Sequence, residues 1–292
     1  MKGNRLFSRR FGYMLIFPSA IVFLIVSIYP LLTGIMLSFQ NSSLYKGNEK
    51  KFVGLKNIIT ILTSDAEFRS DLLFTVIYTI GIVVIAYITG LVFSLLLNAD
   101  MPCRTLFRVL ILIPWVISPA VSSMSWSWLL SDQYGFFNNF LKSIGVIDKS
   151  ILFLADKTLA KIMVIIIGAW RNFPFITVSL LAGLQGISKD YYEAADIDGA
   201  NKFRYVTFPH LKNVSIITIT LVSIWTFNNF DNIYMLTKGG PAQSTEVLSI
   251  LAYNNAFFRG NISYASAMAT VMLVIMLIAS GVYFKVSKYG KE

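Results

Sequence analysis

Charge is what this chain has least of. Only 14% of its 292 residues are Asp, Glu, Lys or Arg, while 55% are hydrophobic and the mean hydropathy is +0.65. A water-soluble domain carries about a quarter charged residues, so a water-facing surface of this size could not be covered. Cysteine is nearly absent: Cys103 stands alone, which excludes an internal disulfide and a cysteine-built metal site. The single histidine, His210, follows Pro209 in a polar stretch and reads as an interfacial residue. One histidine and scattered carboxylates do not supply the convergent groups of an enzyme acting at a bilayer surface. The phosphate-cradling GxxxxGK(S/T) pattern is also missing, so the chain itself is not expected to hydrolyse ATP.

What the chain has is long apolar runs. A span needs about 20 predominantly apolar residues, and six segments qualify, at 11–39, 72–98, 105–131, 160–183, 214–237 and 264–286. The first belongs to an uncharged run from Phe11 to Tyr45, too long for a signal-peptide core, and is expected to be a retained span. Arg171 interrupts the fourth, and Asp231 lies near the end of the fifth. Pro18, Pro30, Pro114, Pro119 and Pro174 fall inside spans, which membrane helices tolerate when neighbours satisfy the freed carbonyls. The expected fold is an all-α membrane protein, a polytopic bundle of six transmembrane helices forming one domain over 1–292. A polar loop around Gly47, Asn48, Glu49 and Lys50 follows the first span, and Phe136, Phe137, Phe140 and Leu141 suggest a short surface helix.

The net charge of +10 suits lipid better than nucleic acid, because the chain has no soluble basic face to offer. With the N-terminus inside, the inner segments hold 13 Lys and Arg against 11 outside. The cluster Lys2, Arg5, Arg9 and Arg10 beside the first span weighs more than that total, so both termini are expected in the cytoplasm.

The segment 184–213 carries the most information. Ser188 suits an N-cap, and Asp190 suits the positive end of a helix. Ala194 and Ala195 remove bulk, Gly199 ends the helix, and Pro209 opens the next. The product is a helix–turn–helix on the inner face. The residues alone allow it to be a plain connector or a surface that another protein approaches.

Glu193-Ala194-Ala195, then Gly199, then an apolar-x-apolar-Pro ending at Pro209 resembles the EAA loop of ABC importer permeases. AGLQGISKDYYEAADIDGA is similar to the carbohydrate-uptake branch, the maltose-transporter-like permeases. So are FNNFDNIYMLTKGGPAQSTEVLSILAYNNAFF, with Gly239-Gly240-Pro241, ILIPWVISPAVSSMSWSWLL, and YASAMATVMLVIML. The likeness covers most of the chain from about residue 70 onward. It implies the type I importer permease fold and a division of labour. Glu193, Ala194, Ala195, Asp196, Gly199 and Pro209 would couple to a cytoplasmic ATPase dimer, which would hold ATP and magnesium; this chain would bind no cofactor. A second homologous permease would complete the pathway, and an extracytoplasmic solute-binding protein would deliver a sugar, in the cell membrane of a prokaryote. One departure stands out: six residues, Ala200 to Tyr205, separate Gly199 from Val206, where the family usually has nine. Three residues are about 4.5 Å of helix, so the second short helix of the loop should be shorter or reoriented.

Candidate substrate contacts lie in the spans on either side of this loop. An intramembrane charge marks a functional site by default, which singles out Arg171, with Asn172 and Phe175 beside it. Trp225, Asn228, Asn229 and Asp231 cluster in the fifth span. Amides and charges suit sugar hydroxyls, and aromatic rings suit a sugar face. Arg171 could equally pair with Asp231 or with helix carbonyls and hold the bundle together. Trp126 and Trp128 read as interfacial belt residues. An ion-coupled secondary transporter and an ABC permease for another solute are the alternatives; the first would want more acidic residues in the spans than Asp231.

Overall fold

A computed structural model describes residues 3–45 and 51–288; Lys2, Gly47 to Lys50 and Lys291 lie outside the described residues. In chain order come α1 (Gly3–Phe23), a π-helical turn (Leu24–Ile28), α2 (Tyr29–Ser38), β1 (Gln40–Asn41) and β2 (Lys51–Phe52). Next are α3 (Lys56–Thr63), α4 (Ala66–Asn98), α5 (Arg104–Val116), α6 (Pro119–Leu129), α7 (Phe136–Ser143), α8 (Lys157–Gln185) and α9 (Lys189–Ile197). A second π-helical turn (Phe203–Thr207) leads into α10 (Phe208–Phe227), followed by α11 (Asp231–Leu236) and α12 (Leu248–Tyr253). A third π-helical turn (Asn254–Phe258) and α13 (Ile262–Lys288) end the described chain. Among the described residues, five continuous helices are long and apolar enough to cross a membrane, and α5 with α6 makes a sixth only as a bent pair.

That pair is the main departure from six straight spans. The axis turns by 93° between α5 and α6. Ile117 and Ser118 are both extended, with ψ of 135° and 138°. Pro119 explains it: a proline pushes the preceding residue out of the α region, then fits the first position of the next helix. The fifth span also differs. It begins at Phe203, eleven residues before the expected 214, and its helix ends at Phe227. Asp231 therefore opens a separate short helix.

Two of the π-helical turns have a common cause. Tyr29 donates its N–H to the Leu24 carbonyl, and Phe208 to the Phe203 carbonyl. Each closes a five-residue turn directly before a proline, Pro30 and Pro209. A proline ring inside an α-helix collides with the carbonyl four residues back. The wider turn moves that carbonyl aside and leaves the helix otherwise unbroken.

The chain forms two compact units. The first joins the described residues of Met1–Ala66 to Ala252–Ile275. Its strap after α2 is tied by side chains. Asn57 Nδ2 donates to the Ser38 and Gln40 carbonyls at 2.9 and 2.8 Å, and Ser42 N–H to Ser263 Oγ at 3.0 Å. Tyr264 Oη donates to Asp65 Oδ2 at 2.6 Å. No residue is buried in the most apolar stretch of the rod from Phe11 to Ser38, as suits a helix facing lipid.

The second unit holds the larger core, built from α4, α8, α10 and α11 around Tyr78, Ile82, Ile176, Leu180, Val222 and Ile233. Lipid is as apolar as leucine, so close approach rather than apolar burial holds such helices together. A Cβ on Gly90 of α4 would stand 2.8 Å from Ile176 Cγ2 and 3.2 Å from the Thr177 nitrogen of α8. One on Gly183 would stand 3.0 Å from Leu211 Cδ2. α7 is the short helix expected from its phenylalanines; Phe137 stacks on Trp126, which also meets Trp170 edge-on. Trp126 is thus packed inside the unit, whereas Trp128 is exposed.

Candidate functional site

Two places gather the residues that the sequence points to. The first is the turn after α8. Ser188 is extended and its Oγ accepts from Asp190 N–H, which starts α9. At the other end Ala200 N–H donates to the Ala195 carbonyl at 2.8 Å and Gly199 N–H to that of Asp196 at 3.3 Å. This is the Schellman pattern, with Gly199 left-handed at φ +62°. Asp196 pairs with Lys202 across the turn at 2.7 Å. The six-residue link is absorbed without a separate second helix. Asn201 Oδ1 accepts from Arg204 N–H at 3.0 Å, and the chain winds straight through the π-helical turn into α10, with Pro209 at its second residue.

α9 has two faces. Ala195 is buried, and Tyr192 Oη meets Thr207 Oγ1 at 3.3 Å. The ring of Tyr191 packs on His210, whose Nδ1 donates to the Val206 carbonyl. These contacts fix the helix to the start of α10. Glu193, Ala194, Asp196 and Ile197 face outward, Ile197 being 87% exposed. Ala194 and Ile197 are exposed at the helical i, i+3 interval, and the open edge of the Tyr191 ring extends them into an apolar strip. Sequence reading named Ala194 alone. The spacing of Tyr191 and Ile197 was a usable signal, but only the structure shows which face is covered.

The second place is the break between α10 and α11, opposite the middle of α8. Arg171 Nη1 donates to Asn232 Oδ1 at 3.1 Å. The expected alternative partner, Asp231, makes no ion pair with it and is exposed. The reason is the break itself: the helix stops at Phe227, and the restart turns Asn232, only 6% exposed, toward α8. Asn229 supports the restart, its Oδ1 accepting from Asn232 N–H at 3.2 Å and its carbonyl from Ser249 Oγ at 2.8 Å. Asn172 and Asn228 each turn an amide back to a carbonyl of their own helix, at 2.8 and 3.0 Å. Among the described residues their side-chain oxygens carry no such bond.

An aromatic group sits one helical turn from Arg171. Phe175 lies between Trp225 and Trp115, with ring centroids 4.9 and 5.8 Å away. Trp225 remains 45% exposed. The structure thus joins Arg171 to Asn229 through Asn232, and Phe175 to Trp225, and leaves Asn228 and Asp231 exposed at the break. Asn232 and Trp115 were missed in the sequence, Asn232 because a neutral amide beside Asp231 draws no attention. The Gly239-Gly240-Pro241 segment that follows is tightly wound, with Lys238, Ala242 and Gln243 all at positive φ. Thr245 Oγ1 clasps it by donating to the Gly240 carbonyl at 2.6 Å.

Residues 74–288 match the family described as binding-protein-dependent transport system inner membrane component. The chain belongs to that family. The permease is 35% identical over 286 residues to the trehalose/maltose transport system permease protein MalF of Thermococcus litoralis, covering 97% of this chain and 95% of that one. It is 30% identical over 281 residues to the sulfoquinovosyl glycerol transport system permease protein SmoG of Agrobacterium fabrum, covering 95% and 90%. Its fold is similar to the solved structure of a bacterial ABC transporter that imports the acidic polysaccharide alginate, at a TM-score of 0.78, 21% identity, and 97% and 99% coverage. The permease is therefore a multi-pass membrane transport component of the ABC importer type, in the carbohydrate-transport family, and not itself an enzyme. This membership displaces the ion-coupled secondary transporter.

Proposed function

We propose that the permease forms half of a sugar translocation pathway and is driven by a cytoplasmic ATPase that docks on α9. Glu193, Ala194, Ala195, Asp196, Gly199 and Pro209 make up the coupling element. The ATPase dimer holds ATP and magnesium, a second homologous permease completes the pathway, and an extracytoplasmic solute-binding protein supplies the sugar. Both termini lie in the cytoplasm of a prokaryotic cell. The observation that carries this reading is the exposed Tyr191–Ala194–Ile197 strip on a helix tied by side chains to the start of α10. An apolar strip of this kind suits a groove in a partner, and its ties to α10 would pass the partner's movement to that span.

At the break between α10 and α11, Arg171, Asn172, Asn228, Asn229 and Asp231 supply donors and acceptors for sugar hydroxyls, and Phe175 and Trp225 an aromatic wall. Names of relatives such as the trehalose/maltose permease support a sugar as cargo. The test is reconstitution with the neighbouring permease, ATPase and binding protein in liposomes. ATPase activity stimulated by a sugar-loaded binding protein is expected, and Gly199→Pro should abolish it, because proline cannot adopt φ +62°. A complex that forms but ignores every sugar offered would sink the cargo; a chain that fails to bind the ATPase would sink the coupling role.

A further inference from the structure

We propose that the permease carries a binding site for an anionic phospholipid where the ends of α4 and α8 meet the start of α5. A cavity of about 250 Å³ opens there, walled by Leu97, Ile111, Leu112 and Leu181, with Arg108 and Gln185 at its polar edge. Arg104 lies one turn before Arg108 on the same face of α5. The Nε atoms of both arginines are buried without a hydrogen-bond partner, and neither guanidinium has an ion pair among the described residues. Asp100, in the loop joining α4 to α5, pairs with neither. Two cations half-withdrawn from water with no counter-charge are costly to keep.

The pieces match one molecule. A phosphodiester satisfies guanidinium groups, while an acyl chain fills an apolar slot between helices. The cavity lies on the α9 side of the bundle, because α8 runs directly into α9. On the orientation proposed above, that is the inner leaflet. Only the leaflet rests on that reading; the chemistry does not.

The test is native mass spectrometry of the detergent-solubilised transporter complex, incubated with phosphatidylglycerol or phosphatidylcholine of the same acyl chains. Wild type is expected to retain phosphatidylglycerol preferentially. Arg104→Gln and Arg108→Gln should each lower its retention about fivefold. Ala182→Phe, which fills the cavity and leaves both charges, should lower it as well. Lys149→Gln, on an exposed loop, should change nothing. Soluble glycerol phosphate should not displace the lipid; displacement would remove the acyl half of the proposal. Equal retention of the two lipids by wild type, or unchanged retention in folded Arg108→Gln, would overturn it. The readout is lipid mass, so a complex that transports no sugar still answers it.

Discussion

Arg171 shows how one side chain can be read two ways, and how the two can be separated. Its bond to the buried Asn232 ties α8 to α11. Arg171→Ala leaves that amide unsatisfied, at a cost of about 1–3 kcal/mol, so a lower melting temperature is expected. Asn232→Ala also breaks that tie but leaves the charge, so on the proposed sugar site it should lower the melting temperature and keep transport. Arg171→Gln, whose amide ends two bonds short of Nη1, removes both the tie and the charge and should lose transport. Transport equal to wild type would make Arg171 purely structural. Trp225 gives a second measurement. Its exposed ring suits stacking on a sugar face, an interaction worth about 1 kcal/mol beyond area for aromatic pairs. Trp225→Ala should raise KM for transport several-fold, while Trp225→Phe stays near wild type. An unchanged KM in the alanine variant would remove Trp225 from the site.

At the scale of elements, close helix approach replaces the hydrophobic effect. Gly90 faces Ile176 and the backbone at Thr177, neither of which can retreat far inside a packed helix pair. Gly90→Val should destabilise the bundle by about 1–3 kcal/mol, read as a drop in melting temperature in detergent, without touching α9. Gly199 behaves in the opposite way. Nothing lies within 4 Å of its missing Cβ, so Gly199→Ala meets only the left-handed strain of about 1 kcal/mol. ATPase coupling should survive in Gly199→Ala and fail in Gly199→Pro. Loss in both variants would mean that the glycine serves the docking surface and not the turn. The apolar strip of α9 was only partly legible beforehand. Periodicity places Tyr191, Ala194 and Ile197 on one face, but it does not say whether that face meets α10 or the outside.

At the scale of the whole molecule, Cys103 is a natural probe of orientation. It is the sole cysteine, it is exposed, and it lies on the α9 side of the bundle. A membrane-impermeant maleimide is expected to label it in inside-out vesicles and not in intact cells. A Cys103→Ser, Asp148→Cys variant should show the reverse, since Asp148 sits exposed between α7 and α8 at the other end of the spans. Labelling of Cys103 from outside the cell would invert the topology and place α9 out of reach of a cytoplasmic ATPase.

The amino-acid order alone determined that the chain lives in a bilayer, because scarce charge and long apolar runs leave no aqueous alternative. It also determined where α9 starts and stops, since Ser188 and Gly199 act through bonds to their near neighbours. Its family was legible for the same reason, in motifs whose order and spacing need no folding to be seen. Tertiary structure alone decided what depends on distant residues meeting. It bent the third span by 93° at Pro119, began the fifth at Phe203, and chose Asn232 over Asp231 as the partner of Arg171. It also left Arg108 at an apolar cavity, with Arg104 one turn away and no ion pair to either among the described residues. Capping and hydropathy are local and survive in a linear reading. Pairing across helices depends on the rotation of each helix about its axis, and that is settled only when the helices pack.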